Sequence, residues 1–144
     1  MNLAPRIRFG YSAAALGAEA LNQSRNAWLI YFYAPPSDAG REAFLPLTLV
    51  TALLFAGKLI EAFDDALIGY LSDRTRSRWG RRLPWIVAGA PFWALFAVLT
   101  FMPPAVDSRW ASALWFFLIL QAFHLAATLT EGPFEALFPS MATG

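Results

Sequence analysis

Cysteine is absent from the 144 residues and histidine occurs once. Without thiols the chain has no disulfide framework, no sulfur nucleophile and no cysteine-ligated zinc. With one histidine it has no HExxH-type pair, so metal-assisted hydrolysis has few ligands to draw on. Charge is scarce as well: 15% of residues are charged, against 58% hydrophobic and 16% aromatic. That leaves too little polar surface to cover a soluble globule of this size, and lipid is the expected solvent. A cleavable leader is not expected, because the first apolar stretch is interrupted by Glu19, Asn22 and Gln23. Neither an enzyme activity nor a cofactor is expected from this inventory.

What the chain does contain is four mainly apolar stretches, at about 9 to 33, 43 to 71, 84 to 102 and 110 to 138, each near the roughly 20 residues that cross a bilayer core. All four are expected to be helices, since lipid offers no partner to an unpaired backbone group. Breakers separate them: Pro35, Pro36 and Gly40, then Ser77 and Gly80, then Pro103 and Pro104. The basic residues are bunched. Five arginines (74, 76, 78, 81 and 82) fall in the second connection, at about 72 to 83, and Arg6 and Arg8 precede the first stretch, whereas Arg41 and Arg109 flank the other side. Short basic loops stay in the cytoplasm, so both termini are expected there, in a plasma (bacterial inner) membrane. A bilayer contact accounts for these charges, and no nucleic-acid partner is needed.

Three of the stretches carry polar residues at membrane depth, where a central charge costs at least ~2.5 kcal/mol unless it faces water or protein. At about 100° per residue, Glu19, Asn22, Gln23 and Asn26 share one face of the first helix, with Arg25 to one side. Lys58, Glu61 and Asp65 share a face of the second, while Asp64 points about 100° away from Asp65. On the fourth, Gln121, His124, Thr128 and Glu131 align, and Glu135 joins them unless Pro133 bends the helix. The third stretch has no ionisable residue and is expected to be scaffold, with Pro91 a potential kink. Three stripes on three helices are what a polar cavity in a bundle requires. Glu61, Asp64 and Asp65 place three carboxylates within about one turn, a repulsion relieved by a hard cation or a proton; Lys58 can neutralise one of them. Two plainer readings stand beside this one: solvated acids at a membrane edge, and a Glu19–Arg25 pair that satisfies both groups. His124 alone reads more simply as a packing residue than as a proton carrier. Glu131 followed by Gly132 and Pro133 marks a loosened helix of the kind that lines binding sites.

The run GKLIEAFDDALIG at 57–69, followed by SDRTRSRWGRRLPW at 72–85, resembles the second helix and following loop of the glycoside-pentoside-hexuronide:cation symporters, a branch of the major facilitator superfamily. EGPFEALFP at 131–139 is similar to the acid-x-Pro segment of the same family, and Glu19 falls where the family places its first-helix acid. The resemblance implies an all-α membrane protein whose four transmembrane helices are the first part of a six-helix N-terminal bundle, working by alternating access. It implies a cation site at Glu61, Asp64, Asp65 and Thr128 for Na+ or H+, and solute recognition at Glu19 and Glu131; Asn22, Arg25 and Asn26 on the first helix are the further candidates. It also implies a cytoplasmic gating motif of Gly69, Asp73, Arg74, Arg78, Gly80, Arg81 and Arg82. Asp73 sits at a helix C-terminus, where the macrodipole disfavours an anion, so a partner such as Arg81, Arg82 or another helix N-terminus is expected.

Departures from the family pattern carry information. Glu61 stands where the family usually has Asp, Asp64 where it has a neutral residue, and Ala66 where it has Pro. Glu19 and Glu131 replace shorter aspartates. The extra carboxylate favours proton coupling, with sodium as the alternative. Members of the superfamily have twelve helices, so the chain is expected to be an N-terminal fragment that partners with missing C-terminal helices and a small-molecule substrate, a sugar or glycoside-like solute. Other readings are a lysolipid or other solute carrier, and a four-helix membrane protein that acts by oligomeric assembly.

Overall fold

The computed structural model describes residues 5–80, 82–104 and 108–135. Within them the chain forms four helices and no strand: α1 (Pro5–Tyr33), α2 (Leu47–Arg74), α3 (Leu83–Leu99) and α4 (Arg109–Glu135). Prolines set most of the boundaries. α1 is described from Pro5 onward, so the segment with Arg6 and Arg8 is helical rather than a tail. Pro35 and Pro36 follow the end of α1, since the residue before a proline is pushed out of the helical region. The same rule moves the start of α2 from the expected 43 to Leu47, behind an extended Pro46 with φ −60° and ψ 142°. At its far end α2 runs to Arg74 rather than 71. There the Thr75 hydroxyl donates to the Leu71 carbonyl at 2.9 Å, and the Thr75 amide donates to Ser72 O at 3.3 Å.

α3 starts with Pro84 in its first turn and passes through Pro91. α4 starts after Ser108, whose hydroxyl accepts from the Ala111 amide at 3.4 Å, and continues through Pro133 to Glu135. Residues 136–138 of the expected fourth span lie outside the described residues. Among the described residues α4, at 27 residues, is the one helix both long and apolar enough to cross a membrane by composition; α3 is apolar but has 17 residues. α1 and α2 have the length, 29 and 28 residues, but the polar and ionisable residues of their stripes lower their apolarity.

α4 is the hub, packed closely against α3 and α2, whereas α1 touches α2 sparsely. Two glycines permit the close approaches. A Cβ on Gly89 would run into Thr130 Oγ1 and lie 3.1 Å from Leu129 Cβ, and one on Gly57 would lie 2.8 Å from Gln121 Oε1. One apolar cluster, with Tyr33, Leu45, Val50, Phe116 and Leu120, ties the α1–α2 connection to α4. Tyr33 is fully buried; its hydroxyl donates to Thr100 O at 2.7 Å, and its ring meets Phe116 edge-on at 4.7 Å. A second cluster, with Trp93, Ala97, Phe123, Ala126 and Ala127, joins α3 to α4. Anchored at Tyr33 yet loosely packed along its length, α1 leaves a gap facing α2 and α4.

Candidate functional site

That gap is a cavity of about 610 Å³ lined by the polar faces of three helices. α1 contributes Glu19, Asn22, Gln23 and Asn26; α2 contributes Lys58, Glu61 and Asp65; α4 contributes His124, Thr128, Glu131 and Glu135. The 100° periodicity of each stripe turns the three polar faces toward one another once α4 packs on α2 and α1 stands across the gap from both. Gly69, Asp73 and Arg82 line the cavity toward the Arg-rich connection.

Two hydrogen bonds cross the cavity between helices. Asn22 Nδ2 donates to Glu131 Oε1 at 2.8 Å, joining α1 to α4. Thr128 Oγ1 donates to Asp65 Oδ1 at 2.8 Å, joining α4 to α2. Glu61 lies one turn before Asp65 and is held at both oxygens: Oε2 is 2.7 Å from Lys58 Nζ, and Oε1 is 3.4 Å from His124 Nδ1. On α1, Glu19 accepts from Gln23 Nε2 at 2.7 Å instead of pairing with Arg25.

Several expected site residues lie elsewhere. Arg25 does not line the large cavity. It is 3% exposed, with its guanidinium 3.9 Å over the Phe123 ring, Nε 3.5 Å from Thr100 Oγ1 and Nη1 donating to Asn26 Oδ1 at 3.3 Å. A planar cation on an aromatic face pins α1 to α3 and α4. Asp64 is off the cavity, as its angular offset from Asp65 requires. Consequently the three α2 carboxylates do not converge, and among the described residues no group of three acidic or histidine side chains is placed to hold a metal ion. Gln121 turns toward Gly57, and its buried amide atoms make no hydrogen bond.

In the connection after α2, where the resemblance sets a gating motif, Arg82 Nη2 is 3.9 Å from Asp73 Oδ1. Asp73 is exposed, so a pair at this range contributes little by itself. The connection is held more firmly by Trp85 Nε1 donating to Thr75 Oγ1 at 2.9 Å and by a turn at Gly80, φ 90°, whose amide donates to Ser77 O at 3.0 Å. Arg74 stacks over Tyr70 at 4.6 Å and Arg78 lies 5.9 Å from the Trp79 ring. Arg81 lies outside the described residues. Two features had no signal in the sequence: the Phe123 platform under Arg25, and a parallel stack of Tyr11 on Phe134 at 4.5 Å between α1 and α4. Phe123 falls in an apolar run where an aromatic reads as lipid-facing, and the Tyr11–Phe134 pairing joins residues more than a hundred positions apart.

Five carboxylates from three helices, Glu19, Glu61, Asp65, Glu131 and Glu135, set against Lys58, leave this part of the cavity rich in negative charge and in hydrogen-bond acceptors, a lining suited to a cation and a hydroxylated solute. Comparison with known proteins bears on the family. A family model described as MFS/sugar transport protein matches residues 10–144. An uncharacterized symporter of Synechocystis sp. is 38% identical over 69% of this chain and 19% of its own length. A sodium-dependent lysophosphatidylcholine symporter of Danio rerio is 32% identical over 66% of the chain and 18% of its own length. The isoprimeverose transporter of Lactiplantibacillus pentosus is 25% identical over 93% of the chain and 26% of its own length. The chain thus spans about a fifth to a quarter of the length of these relatives. No solved structure matches it. Its matched segment, covering all but the first nine residues, and the motif run of α2 place it in one group: the chain belongs to the MFS/sugar transport protein family, in the branch similar to the glycoside-pentoside-hexuronide:cation symporters.

Proposed function

We propose that the chain is the first four helices of a cation-coupled secondary transporter that moves a sugar or glycoside-like solute by alternating access, without chemistry on the solute and without a cofactor. The observation that carries this reading is the three-helix cavity crossed by the Asn22–Glu131 and Thr128–Asp65 bonds. Asp65 and Thr128 offer oxygens to the coupling ion, Na+ or H+. Glu19, Asn22 and Glu131, with Asn26 beside them, offer donors and acceptors to the solute hydroxyls. Further helices supply the facing wall, and the Asp73–Arg82 connection closes the cytoplasmic side. Both termini lie in the cytoplasm of a plasma membrane.

A second reading, a lysolipid carrier, is favoured by the relative named for lysophosphatidylcholine. The polar lining on all three helices weighs toward the sugar, since an acyl chain needs an apolar wall. Co-expression of this chain with the remaining helices of a sugar-transporting relative provides the test. Cation-driven uptake of a labelled pentoside, lost on Glu131→Gln and on Asp65→Asn, is the expected outcome. Uptake indifferent to both substitutions, or driven only for a lysolipid, contradicts it.

A further inference from the structure

Glu61 is the least exposed of the α2 carboxylates that line the cavity, and both of its oxygens have a partner. Oε2 is closed to solvent with no conventional hydrogen bond, and the Lys58 ammonium sits against it at 2.7 Å. Oε1 faces His124 at 3.4 Å. Lys58 is exposed, its side chain 67% accessible, and its ammonium is the positive charge set against Glu61, whereas Arg82 lines the cavity toward the Arg-rich connection, beside Asp73. Asp65, one turn on and on the same face, bonds Thr128 instead, and Asp64 stands off the cavity.

We propose that Lys58 is the residue that sets ion specificity: its ammonium is a tethered cation that occupies the Glu61 end of the ion site, so that a free alkali ion is left with Asp65 and Thr128 alone and binds weakly. This rests on the cation-coupled reading above and adds to it a residue that governs which ion the site accepts. The physical basis is double. The ammonium takes Glu61 Oε2, an oxygen that an alkali-ion shell of six or so ligands would draw on, and its charge repels a second cation at short range in a medium less polar than water. His124 supports the arrangement by fixing the other Glu61 oxygen across the α2–α4 interface.

The test is binding of radiolabelled sodium to the purified chain in lipid nanodiscs, for wild type, Lys58→Met, Lys58→Arg and Asp65→Asn. Lys58→Met is expected to bind sodium at least about tenfold more tightly than wild type, a factor that one unit charge at this range can supply. Lys58→Arg, which keeps the charge, is expected to show no such gain, and Asp65→Asn in the Lys58→Met background is expected to abolish it. Sodium binding that depends on Asp65 but is unchanged or weakened by Lys58→Met overturns the role of Lys58 and leaves the ion site standing. Absence of Asp65-dependent sodium binding in every variant, with helicity retained by circular dichroism, overturns the ion site and this proposal with it.

Discussion

At the scale of single residues, cavity polar groups and packing polar groups are made of the same amino acids and differ only in direction. Arg25 and Asn26 are neighbours on α1, yet Asn26 lines the cavity and Arg25 is buried on Phe123. Arg25→Lys keeps the charge and loses the flat stack and the fork of donors, so a drop in stability on the order of 1 to 2 kcal/mol is expected in thermal melts of the chain in micelles. Thr128→Val removes the donor to Asp65 at constant shape. In the proposed ion site it is expected to weaken sodium binding by several-fold, about 1 kcal/mol, measured in the Lys58→Met background where affinity is highest. Periodicity alone gave the correct face for Glu19, Asn22, Gln23, Asn26, Lys58, Glu61, Asp65, His124, Thr128 and Glu131, because a helix fixes direction to within about 100° per residue. The motif likeness drew Asp64 into the ion site, and proximity drew Arg25 into the solute site. Which aromatic sits under a cation, or whether Gln121 meets a cavity or a glycine, depends on a neighbouring helix that no single stripe encodes.

At the scale of helices, existence and order followed from four apolar runs, while the ends followed from local chemistry. Pro46 is visible in the sequence, but the apolar residues before it, Ala43 to Leu45, masked its effect on the start of α2. The close approach at Gly89 carries a measurable consequence. A methyl there meets Thr130 Oγ1, the Leu129 Cβ and the Ala126 carbonyl, and the hydroxyl is itself bonded to that carbonyl at 2.8 Å, so nothing yields easily. Gly89→Ala is expected to destabilise the α3–α4 pair by about 1 to 3 kcal/mol. At Gly57 the obstacles are the ends of the flexible Gln121 and Leu120 side chains, and Gly57→Ala is expected to cost less. Denaturant melts of the two variants side by side check the ranking. In the connection after α2, Trp85→Phe removes the bond to Thr75, and faster hydrogen exchange confined to residues 75–80 and 82 is the expected signature.

At the scale of the whole molecule, one tight interface pair, α2–α4 and α3–α4, and one loosely set helix produce the cavity. The arrangement explains why α1 and α2 fall short of the apolarity of a lipid-bathed span: one side of each faces polar groups. It also assigns the outward faces, where Val87, Leu95, Leu114 and Leu118 stand exposed, to lipid or to further helices. The proposed orientation has a direct check, since a cysteine at Ser77 is expected to react with a membrane-impermeant maleimide only from the cytoplasmic side, and one at Asp38 only from outside. The native chain has no cysteine, so each introduced thiol is read without background.

The same property gives the most direct measurement of the shared polar chamber. Single cysteines at Gln23 on α1, Gly69 on α2 and Thr128 on α4 are compared with single cysteines at Val87 and Leu118, in intact membranes, by their rate of reaction with a charged, water-soluble thiol reagent. Fast labelling of the first three and slow labelling of the last two is expected, because water fills the space between the three polar faces and lipid covers the rest. Equal protection of all five, or faster labelling at Val87 and Leu118, contradicts a common aqueous cavity between α1, α2 and α4.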